Sequence, residues 1–255
     1  MLKDPFDFKG THVLVAGGAT GLGYELTRAF CNKGATSIIF SRNERNVQNA
    51  VKEINGTRNN SCYGYVCDIT DEDQLKKLIS DLEEKYGKID IAVNSVGINV
   101  RNKIEKVSIK EWENIIRTNL TGAFIFAKAV FPLLSKSEFG RLINITSIFS
   151  TISFPERVSY ASSKGGMIQL TKTLALEWAD KGITVNSISP GPFLTDLNKP
   201  LLNNPEAYES FCKNIPLKRF GNTSEIITAG LFLASHLSSY VTGADICVDG
   251  GWTTG

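Results

Sequence analysis

The stretch HVLVAGGATGLG, residues 12–23, decides the fold. It opens with a short apolar run, as expected of a strand that is covered on both faces. Gly17, Gly21 and Gly23 follow in G-x-x-x-G-x-G spacing, where a helix starts near Leu22. Glycines at such a turn permit a tight bend and close approach of the backbone to a pyrophosphate, and the first N–H groups of the helix would face the phosphates. The stretch therefore predicts a strand–turn–helix unit that binds a dinucleotide.

The same alternation of short apolar runs and longer helical segments continues along the chain. Strands are predicted at 12–16, 37–40, 62–67, 89–94, 141–147, 183–189 and 245–250, and helices at 22–33, 43–55, 71–86, 111–135, 157–181 and 223–235. Asp71 and Ser108 are candidate N-caps, and Gly34, Gly87 and Gly182 are candidate helix stops. This order predicts an α/β fold with a doubly wound (Rossmann) seven-stranded parallel sheet and helices on both faces.

The domain organisation is expected to be simple. No repeat or linker divides the 255 residues, so residues 1–255 are predicted to form a single domain. The least regular segment, 190–215, contains four prolines and many polar residues. It is predicted to be a long loop with one or two short helices, which is typical of a lid over a substrate.

Composition excludes several classes of function. The formal net charge is +2 without a basic run, which argues against a nucleic-acid or membrane partner. No apolar run approaches about 18 residues and the first residues do not form a signal peptide, so a cytoplasmic protein is expected. Two histidines argue against a Ser-His-Asp hydrolase and a histidine-rich metal site, and no metal is predicted. Five cysteines without C-x-x-C spacing are expected to be buried free thiols: Cys31, Cys62, Cys67, Cys212 and Cys247.

The end of the second predicted strand bears on the choice of dinucleotide. A site that prefers NAD usually has an acidic residue here, which holds the ribose hydroxyls. Phe40 and Ser41 fill these positions and Arg42 follows. A guanidinium suits a 2′-phosphate because it offers a fork of donors. The pattern favours NADP(H) over NAD(H).

The segment YASSK, residues 160–164, predicts acid–base chemistry. Tyr160 and Lys164 are four residues apart on a predicted helix, so their side chains share a face. A free tyrosine has a pKa of about 10, and a neighbouring ammonium is expected to lower it. Ser147 lies at the end of the fifth predicted strand, and Asn119 lies in the segment TNLTG.

Together these motifs resemble the short-chain dehydrogenase/reductase family in its form of about 250 residues, from KGTHVLVAGGATGLG to VDGGW near the end of the chain. The resemblance implies that Tyr160 is the general acid/base, that Lys164 tunes and positions it, that Ser147 holds the substrate oxygen and that Asn119 anchors a water relay. It also implies a set of cofactor-binding residues: Gly17, Thr20, Gly21, Leu22, Gly23, Ser41, Arg42, Asp68, Ile69, Asn94, Gly97, Tyr160, Lys164, Pro190, Gly191 and Thr195.

Two positions depart from the family pattern. Ala16 stands where a threonine usually opens the glycine motif, and Asn94-Ser95-Val96-Gly97 replaces the usual N-N-A-G. Both changes are expected to weaken hydrogen bonding around the cofactor. Neither touches a predicted catalytic group, so they bear on cofactor affinity rather than on activity.

The resemblance implies interconversion of a secondary alcohol and a ketone by hydride transfer, on a small-molecule substrate. It leaves open a sugar acid, as in gluconate 5-dehydrogenases, and a 3-oxoacyl thioester on acyl carrier protein. A non-catalytic dinucleotide-binding sensor is the distant alternative. Two sets of residues bear on the substrate. An anionic or polyhydroxylated substrate would meet Asn99, Arg101, Asn102, Lys103, Glu156 and Arg157, and a carrier protein would meet a basic patch of Lys103, Lys106, Lys218 and Arg219.

The predicted helices 111–135 and 157–181 are apolar over more than one face. A surface helix needs only one apolar stripe, so a second subunit is expected to cover the remainder. The resemblance implies a homotetramer with 222 symmetry, with a dimer as the alternative.

Overall fold

The computed structural model describes residues 4–57 and 61–254. In this part of the chain a parallel sheet of seven strands forms the centre, in the order β3-β2-β1-β4-β5-β6-β7. The strands are β1 (His12–Ala16), β2 (Thr36–Ser41), β3 (Cys62–Val66), β4 (Ile91–Asn94), β5 (Arg141–Ile145), β6 (Thr184–Pro190) and β7 (Asp245–Val248). The strand order reverses between β1 and β4, and this reversal opens a crevice at the carboxyl ends of the strands.

Helices cover both faces of the sheet. They are α1 (Gly21–Asn32), α2 (Glu44–Thr57), α3 (Glu72–Tyr86), α4 (Ile109–Ile116), α5 (Gly122–Leu134), α6 (Val158–Glu177), α7 (Lys199–Leu202), α8 (Pro205–Lys213) and α9 (Ile227–Ala234). One core packs α1, α2 and α9 against the sheet through side chains such as Phe30 and Leu233. The other packs α3, α5 and α6 through Leu75, Phe126 and Ala175. The prediction of a doubly wound α/β fold with a seven-stranded parallel sheet is confirmed.

The predicted helix caps are also present. The Asp71 carboxylate accepts hydrogen bonds from two main-chain N–H groups at the start of α3, at 3.0 and 3.1 Å. Ser108 forms a capping box with Glu111 at the start of α4. Gly87 and Gly182 follow helical segments with φ of 75° and 70°, which a residue with a Cβ rarely adopts.

Two predicted helices have different boundaries. The helix predicted over 111–135 is interrupted, because residues Arg117–Thr121 form a π-helical turn between α4 and α5. Four of the five residues in this turn, RTNLT, are polar, so the apolar pattern is interrupted there. Such turns are frequent at functional sites. The helix predicted over 157–181 ends at Glu177, after which residues 179–181 form a 3-10 turn.

The segment 190–215 contains the short helices α7 and α8, as predicted. Its Phe211 packs against Phe220 and against Trp252 near the end of the chain. The cysteine prediction is wrong at one position: four thiols are buried, but Cys247 is exposed. Cys247 lies on β7, an edge strand that has a neighbour on only one side. Within the described residues, no helix combines the length and the apolar character needed to cross a bilayer.

Candidate active site

A cavity of about 440 Å³ lies at the carboxyl ends of the strands. Most of the predicted site residues line it: Gly17, Thr20, Gly21, Leu22, Ser41, Arg42, Asp68, Ile69, Gly97, Ser147, Tyr160, Lys164, Pro190, Gly191 and Thr195. Gly23, Asn94 and Asn119 do not line the cavity and support it from behind. Residues that are up to 178 positions apart, from Gly17 to Thr195, therefore meet in one crevice.

The turn between β1 and α1 requires glycine. Gly17 and Gly21 have φ of 74° and 56°. A Cβ on Gly23 would lie 2.3 Å from the carbonyl oxygen of Gly17, so the first turn of α1 packs directly on the backbone. Thr20 is the N-cap of α1, and its side chain makes no capping hydrogen bond. The turn therefore presents main-chain N–H groups at the start of α1, as a pyrophosphate site needs.

The loop after β4 is equally crowded. A Cβ on Gly97 would lie 3.2 Å from the Lys164 Nζ atom, so any side chain there would displace the lysine. Asn94 is buried at the end of β4, and its Nδ2 atom has no partner in the described part of the chain. The glycine cradle and the start of α1, which line the cavity, fit the binding of a dinucleotide. These residues fit the predicted cofactor.

At the far end of the cavity, Arg42 follows β2 and its guanidinium lies 3.8 Å from the Asp68 carboxylate. Asp68 also accepts hydrogen bonds from the main chain and the hydroxyl of Thr70, both at 2.9 Å. The Arg42 side chain is largely exposed, so the ion pair leaves it free to rearrange around a ligand.

Tyr160 and Lys164 both lie on α6 and are buried. Burial raises the pKa of Tyr160 above its usual value, while a hydrogen bond with Ser147 and the charge of Arg157 act in the opposite direction. The prediction that Lys164 lowers the pKa of Tyr160 is wrong for the free enzyme. The Nζ atom is 5.9 Å from the centre of the tyrosine ring, and the loss of water around the phenol outweighs the neighbouring charges. Tyr160 is therefore protonated at neutral pH and ready to act as an acid.

Lys164 is only 3% exposed, and no carboxylate among residues 4–57 and 61–254 lies within ion-pair distance of it. Its Nζ atom donates to the carbonyl oxygen of Ile145 at 2.8 Å and lies 3.5 Å from the Met167 sulfur. Burial lowers the pKa of Lys164 to about 7. A lysine that titrates near neutral pH is suited to moving a proton.

The π-helical turn holds Asn119 at the centre of the fold. The side-chain Oδ1 accepts from the main-chain N–H of Ile98 at 2.8 Å. The Nδ2 atom donates to the Ile98 carbonyl at 2.9 Å and to the Ser163 hydroxyl at 3.0 Å. Ser163 in turn donates to the main-chain carbonyl of Tyr160 at 2.7 Å. Asn119 therefore ties the loop after β4 to α6, and its predicted water relay stays a prediction.

Two arginines face the substrate end of the cavity. Arg157 is 4% exposed, and its Nη1 atom donates to the carbonyl oxygen of Glu156 at 3.0 Å. Arg101 donates to the Asn198 side chain at 3.1 Å. Among the described residues, neither guanidinium has a carboxylate within ion-pair distance. Burial lowers the pKa of Arg157 to about 10, and repulsion from Arg101 adds to that effect.

The other residues predicted to meet the substrate differ in whether they line the cavity. Asn99 lines the cavity, and its Oδ1 atom is buried without a partner. Asn102 bonds to Glu111 instead, and neither Lys103 nor Glu156 lines the cavity. The basic patch predicted for a carrier protein is weakened at Arg219, because both of its Nη atoms bond to Glu225, at 2.6 and 2.8 Å.

Three features of the site are not predicted from the sequence. The carbonyl oxygen that receives Lys164 belongs to Ile145, and a main-chain atom leaves no mark in the sequence. Phe211 reaches the cavity from α8, which depends on how the segment 190–215 folds. Ser163 can be predicted as a site residue from the sequence, because it lies between Tyr160 and Lys164 on the same helix.

Comparison with known proteins agrees with this geometry. The family model described as enoyl-(acyl carrier protein) reductase matches residues 17–253. The 3-oxoacyl-[acyl-carrier-protein] reductase of Thermotoga maritima is 37% identical over 244 residues, which cover 95% of this chain and 98% of the relative. The gluconate 5-dehydrogenase of Gluconobacter oxydans is 32% identical over 252 residues, which cover 98% of this chain and 97% of the relative.

Solved structures give the same result. The crystal structure of a gluconate 5-dehydrogenase from Burkholderia cenocepacia in complex with NADP and tartrate is 33% identical, with a TM-score of 0.94 over 99% of this chain and 98% of that one. The crystal structure of a putative gluconate dehydrogenase from Agrobacterium tumefaciens is 32% identical, with a TM-score of 0.94 over 98% of both chains. The protein belongs to the short-chain dehydrogenase/reductase family of oxidoreductases that act on alcohol and ketone groups with a nicotinamide dinucleotide.

Proposed function

We propose that this enzyme interconverts a secondary hydroxyl group and a ketone on a sugar acid, with NADP(H) as its cofactor. The observation that carries the substrate class is Arg157, a buried guanidinium beside Tyr160 that has no carboxylate within ion-pair distance among the described residues, although Glu156 attracts it from farther away. A buried cation without a partner is costly, and a second cation, Arg101, faces the same cavity. A carboxylate on the substrate would relieve both costs through charge-assisted hydrogen bonds.

The hydroxyl groups of the substrate have a candidate partner as well. The Asn99 Oδ1 atom is a buried acceptor that lines the cavity and has no donor in the free enzyme. A hydroxyl group of a sugar acid supplies that donor. One end of the cavity therefore offers two cations and one unpaired acceptor, which suits a polyhydroxylated acid better than an acyl chain.

The catalytic roles follow from the positions of the side chains. The bound cofactor supplies or accepts the hydride at the substrate carbon. Tyr160 donates a proton to the substrate oxygen in the direction of reduction, because burial keeps the phenol protonated. Ser147 holds the same oxygen as negative charge builds on it. Lys164 returns a proton toward Tyr160, since its pKa of about 7 lets it give and take protons at neutral pH.

The preference for NADP(H) rests on Arg42. Its guanidinium lies at the cavity rim beyond β2, where no acidic side chain of that strand competes for the ribose. The 2′-phosphate would replace Asp68 as its partner. The crystal structure of the gluconate 5-dehydrogenase from Burkholderia cenocepacia, which contains NADP, supports the same preference.

The alternative substrate is a 3-oxoacyl thioester, which the relative of 37% identity favours. A carrier protein is acidic and needs a basic surface beside the cavity. Of the four cations predicted for that surface, Arg219 is paired with Glu225 and Lys218 donates to the Lys213 carbonyl at 3.0 Å. The sugar acid is therefore the preferred substrate.

We further propose a homotetramer, with a dimer as the alternative, in the cytoplasm. Three apolar side chains on α4, α5 and α6 support an interface because they are exposed in the single chain: Ile109, Phe124 and Leu176. Light scattering during gel filtration would measure the assembly. Leu176→Glu is expected to lower the molar mass if α6 lies in an interface, and an unchanged mass would place the interface elsewhere.

The test of the function is a reduction assay with NADPH and NADH in parallel. The substrates are 5-keto-D-gluconate, acetoacetyl-thioester and the neutral diketone 2,3-butanedione. We expect turnover of the keto acid with NADPH, and a rise of its KM by about 30-fold in Arg157→Met, roughly the value of one charged hydrogen bond. Lys103→Met is the matched control, because this cation does not line the cavity.

The outcomes separate the candidates. Turnover of the thioester alone would select the carrier-protein reductase. Equal loss for the keto acid and the neutral diketone in Arg157→Met would contradict the carboxylate site, because the diketone carries no charge. Binding of the cofactor without turnover of any substrate would favour the non-catalytic sensor.

A further inference from the structure

A group of polar side chains links the edge strand β7 to Ser147. Asp245 is the first residue of β7, and its carboxylate accepts a hydrogen bond from the Ser187 hydroxyl at 2.6 Å. It also accepts from the Ser189 hydroxyl, at 2.7 Å to Oδ2 and 2.9 Å to Oδ1. Both serines lie on β6 and are buried. Thr146 completes the group, with its hydroxyl 2.9 Å from that of Ser189 and 3.3 Å from Asp245 Oδ1.

The two serines on β6 differ in one contact. The Ser189 hydroxyl lies 3.0 Å from the main-chain carbonyl oxygen of Ser147. The second acceptor of Ser187 is the carbonyl of Ala244, at 3.4 Å. Of the two serines, only Ser189 therefore contacts both the Asp245 carboxylate and Ser147, which lines the cavity.

The contact between Ser189 and Ser147 lies just beyond the last main-chain hydrogen bond between β5 and β6. β5 ends at Ile145, and the last hydrogen bond between β5 and β6 on this side runs from Thr146 N–H to the Ile188 carbonyl, at 2.8 Å. Ser147 lies one residue beyond that bond. Its carbonyl accepts from Ser150 N–H at 2.9 Å within the following turn and from Ser189 across the sheet. Pro190 has no N–H to continue the ladder, so the Ser189 side chain supplies the contact between β6 and Ser147.

The Ser189 hydroxyl has one proton to donate, and both the Asp245 carboxylate and the Ser147 carbonyl can only accept it. The two acceptors therefore share this proton, and Asp245 fixes the position of the Ser189 oxygen beside Ser147. The Ser147 Oγ atom itself accepts from Phe149 N–H at 3.2 Å, which leaves the hydroxyl proton of Ser147 for the cavity.

We propose that Asp245 is a positioning residue for Ser147 and that it acts through Ser189. This inference rests on the catalytic role proposed above for Ser147. The group fixes the main chain at Ser147, so its hydroxyl meets Tyr160 and the substrate oxygen at hydrogen-bond distance. A shift of about 1 Å at such a group is enough to cost about 100-fold in rate.

The experiment compares Ser189→Ala with Ser187→Ala. Each variant deletes one buried hydroxyl on β6 that bonds to Asp245, so both are expected to lower the melting temperature. Only Ser189→Ala removes the link to Ser147. With 5-keto-D-gluconate and NADPH, we expect kcat to fall about 10-fold in Ser189→Ala and in Asp245→Ala, with the KM for NADPH within about 2-fold of the parent value. Ser187→Ala is expected to keep kcat within about 2-fold.

Two further measurements make the result decisive. The double variant Ser189→Ala/Asp245→Ala is expected to be no slower than the slower single variant, because both changes break one link. Crystal structures of Ser189→Ala and Ser187→Ala with NADP+ are expected to show a displaced Ser147 Oγ atom in the first variant only. This comparison needs no substrate and decides the inference by itself.

The inference is overturned if the two serine variants have equal kcat or if Ser147 occupies the same position in both crystals. Ser147→Ala distinguishes this failure from failure of the proposed role of Ser147. Full loss in Ser147→Ala without loss in Ser189→Ala would reject the positioning role and keep the catalytic one. Parent-like kcat in Ser147→Ala would reject both.

Discussion

Buried charge is held differently at the two ends of the strands, the amino ends (the amino edge) and the carboxyl ends (the carboxyl edge). At the amino edge, the Asp90 carboxylate before β4 is paired with Lys88 at 2.8 Å and accepts from the Ser137 hydroxyl at 2.6 Å and from the main-chain N–H of His12 at 2.9 Å. At the carboxyl edge, Lys164 and Arg157 are buried without an ion-pair partner among the described residues. Arg141 at the start of β5 is also buried without an ion pair among the described residues, but it donates to the main-chain carbonyls of Gly140 and Ser235 and does not line the cavity. Buried charge that is bonded within the fold holds segments together, whereas Lys164 and Arg157 line the cavity and are available to ligands. The contrast predicts that changes at one edge alter stability and that changes at the other alter activity.

The strongest test of the contrast is Tyr160→Phe. Loss of the phenolic hydroxyl removes the general acid, so kcat is expected to fall by about 1,000-fold or more, within the usual range for such groups. The free energy of unfolding is expected to stay the same or rise, because a buried hydroxyl is removed from an apolar ring. Initial rates of NADPH oxidation and urea denaturation measure the two quantities. Tyr63→Phe near the start of β3 is the control, and an equal loss of rate there would contradict the assignment.

Asp90→Asn is the corresponding change at the amino edge. The amide keeps the shape of the side chain but leaves Lys88 without its partner, so the free energy of unfolding is expected to fall by about 2–3 kcal/mol. The kcat of the folded enzyme is expected to stay within about 2-fold. Urea denaturation measures the loss, and Glu83→Gln, which breaks an exposed pair with Lys136, is the control with a much smaller effect. A large fall in kcat with unchanged stability would reverse the contrast.

Lys164 lies at the active site, but its burial also makes the stability of the protein depend on pH. Its pKa is about 7 in the folded protein and about 10.4 in an unfolded chain. Between these values the unfolded chain binds more protons, so Lys164 makes the folded state more stable as the pH rises. The stability of the parent relative to Lys164→Met is therefore expected to increase from pH 7 to 9, by up to about 1.4 kcal/mol per pH unit. Denaturation of the cofactor-free proteins at several pH values measures it. Parallel curves for the two proteins would show that the lysine is not buried as a neutral group.

The sequence predicts the strands, the glycine turn and the identity of the site residues better than the pKa values of those residues. The strands and the glycine turn follow from local patterns, because a covered strand is an apolar run and a turn with positive φ selects glycine. The π-helical turn at Arg117–Thr121 does not follow, since a short polar stretch within a helix does not distinguish a π turn from an α-helical one. The direction in which the Tyr160 pKa shifts is not predicted correctly from the sequence, because it depends on burial as well as on the neighbouring charge.

Contacts across distant segments are the other part that the sequence does not predict. Ser189 and Asp245 are 56 residues apart and meet only because β6 and β7 pair. The unpaired state of Arg157 depends in the same way on which carboxylates the fold brings near it. Residue types and spacing identify which groups can react, and the tertiary structure determines how each is charged and held.

The smallest expected effect concerns Arg42, and it refines the contrast at the carboxyl edge. Arg42 is paired with Asp68, but the pair is exposed and its atoms are 3.8 Å apart, whereas the Lys88–Asp90 distance is 2.8 Å. Such a pair contributes little to stability and can exchange Asp68 for a phosphate. Arg42→Ala is expected to raise the KM for NADPH by about 10-fold and to leave the KM for NADH within about 2-fold. Arg45→Ala on α2 is the matched control, because that cation does not line the cavity. If NADPH and NADH are affected equally, Arg42 binds no 2′-phosphate, and the pair with Asp68 belongs to the structural charges after all.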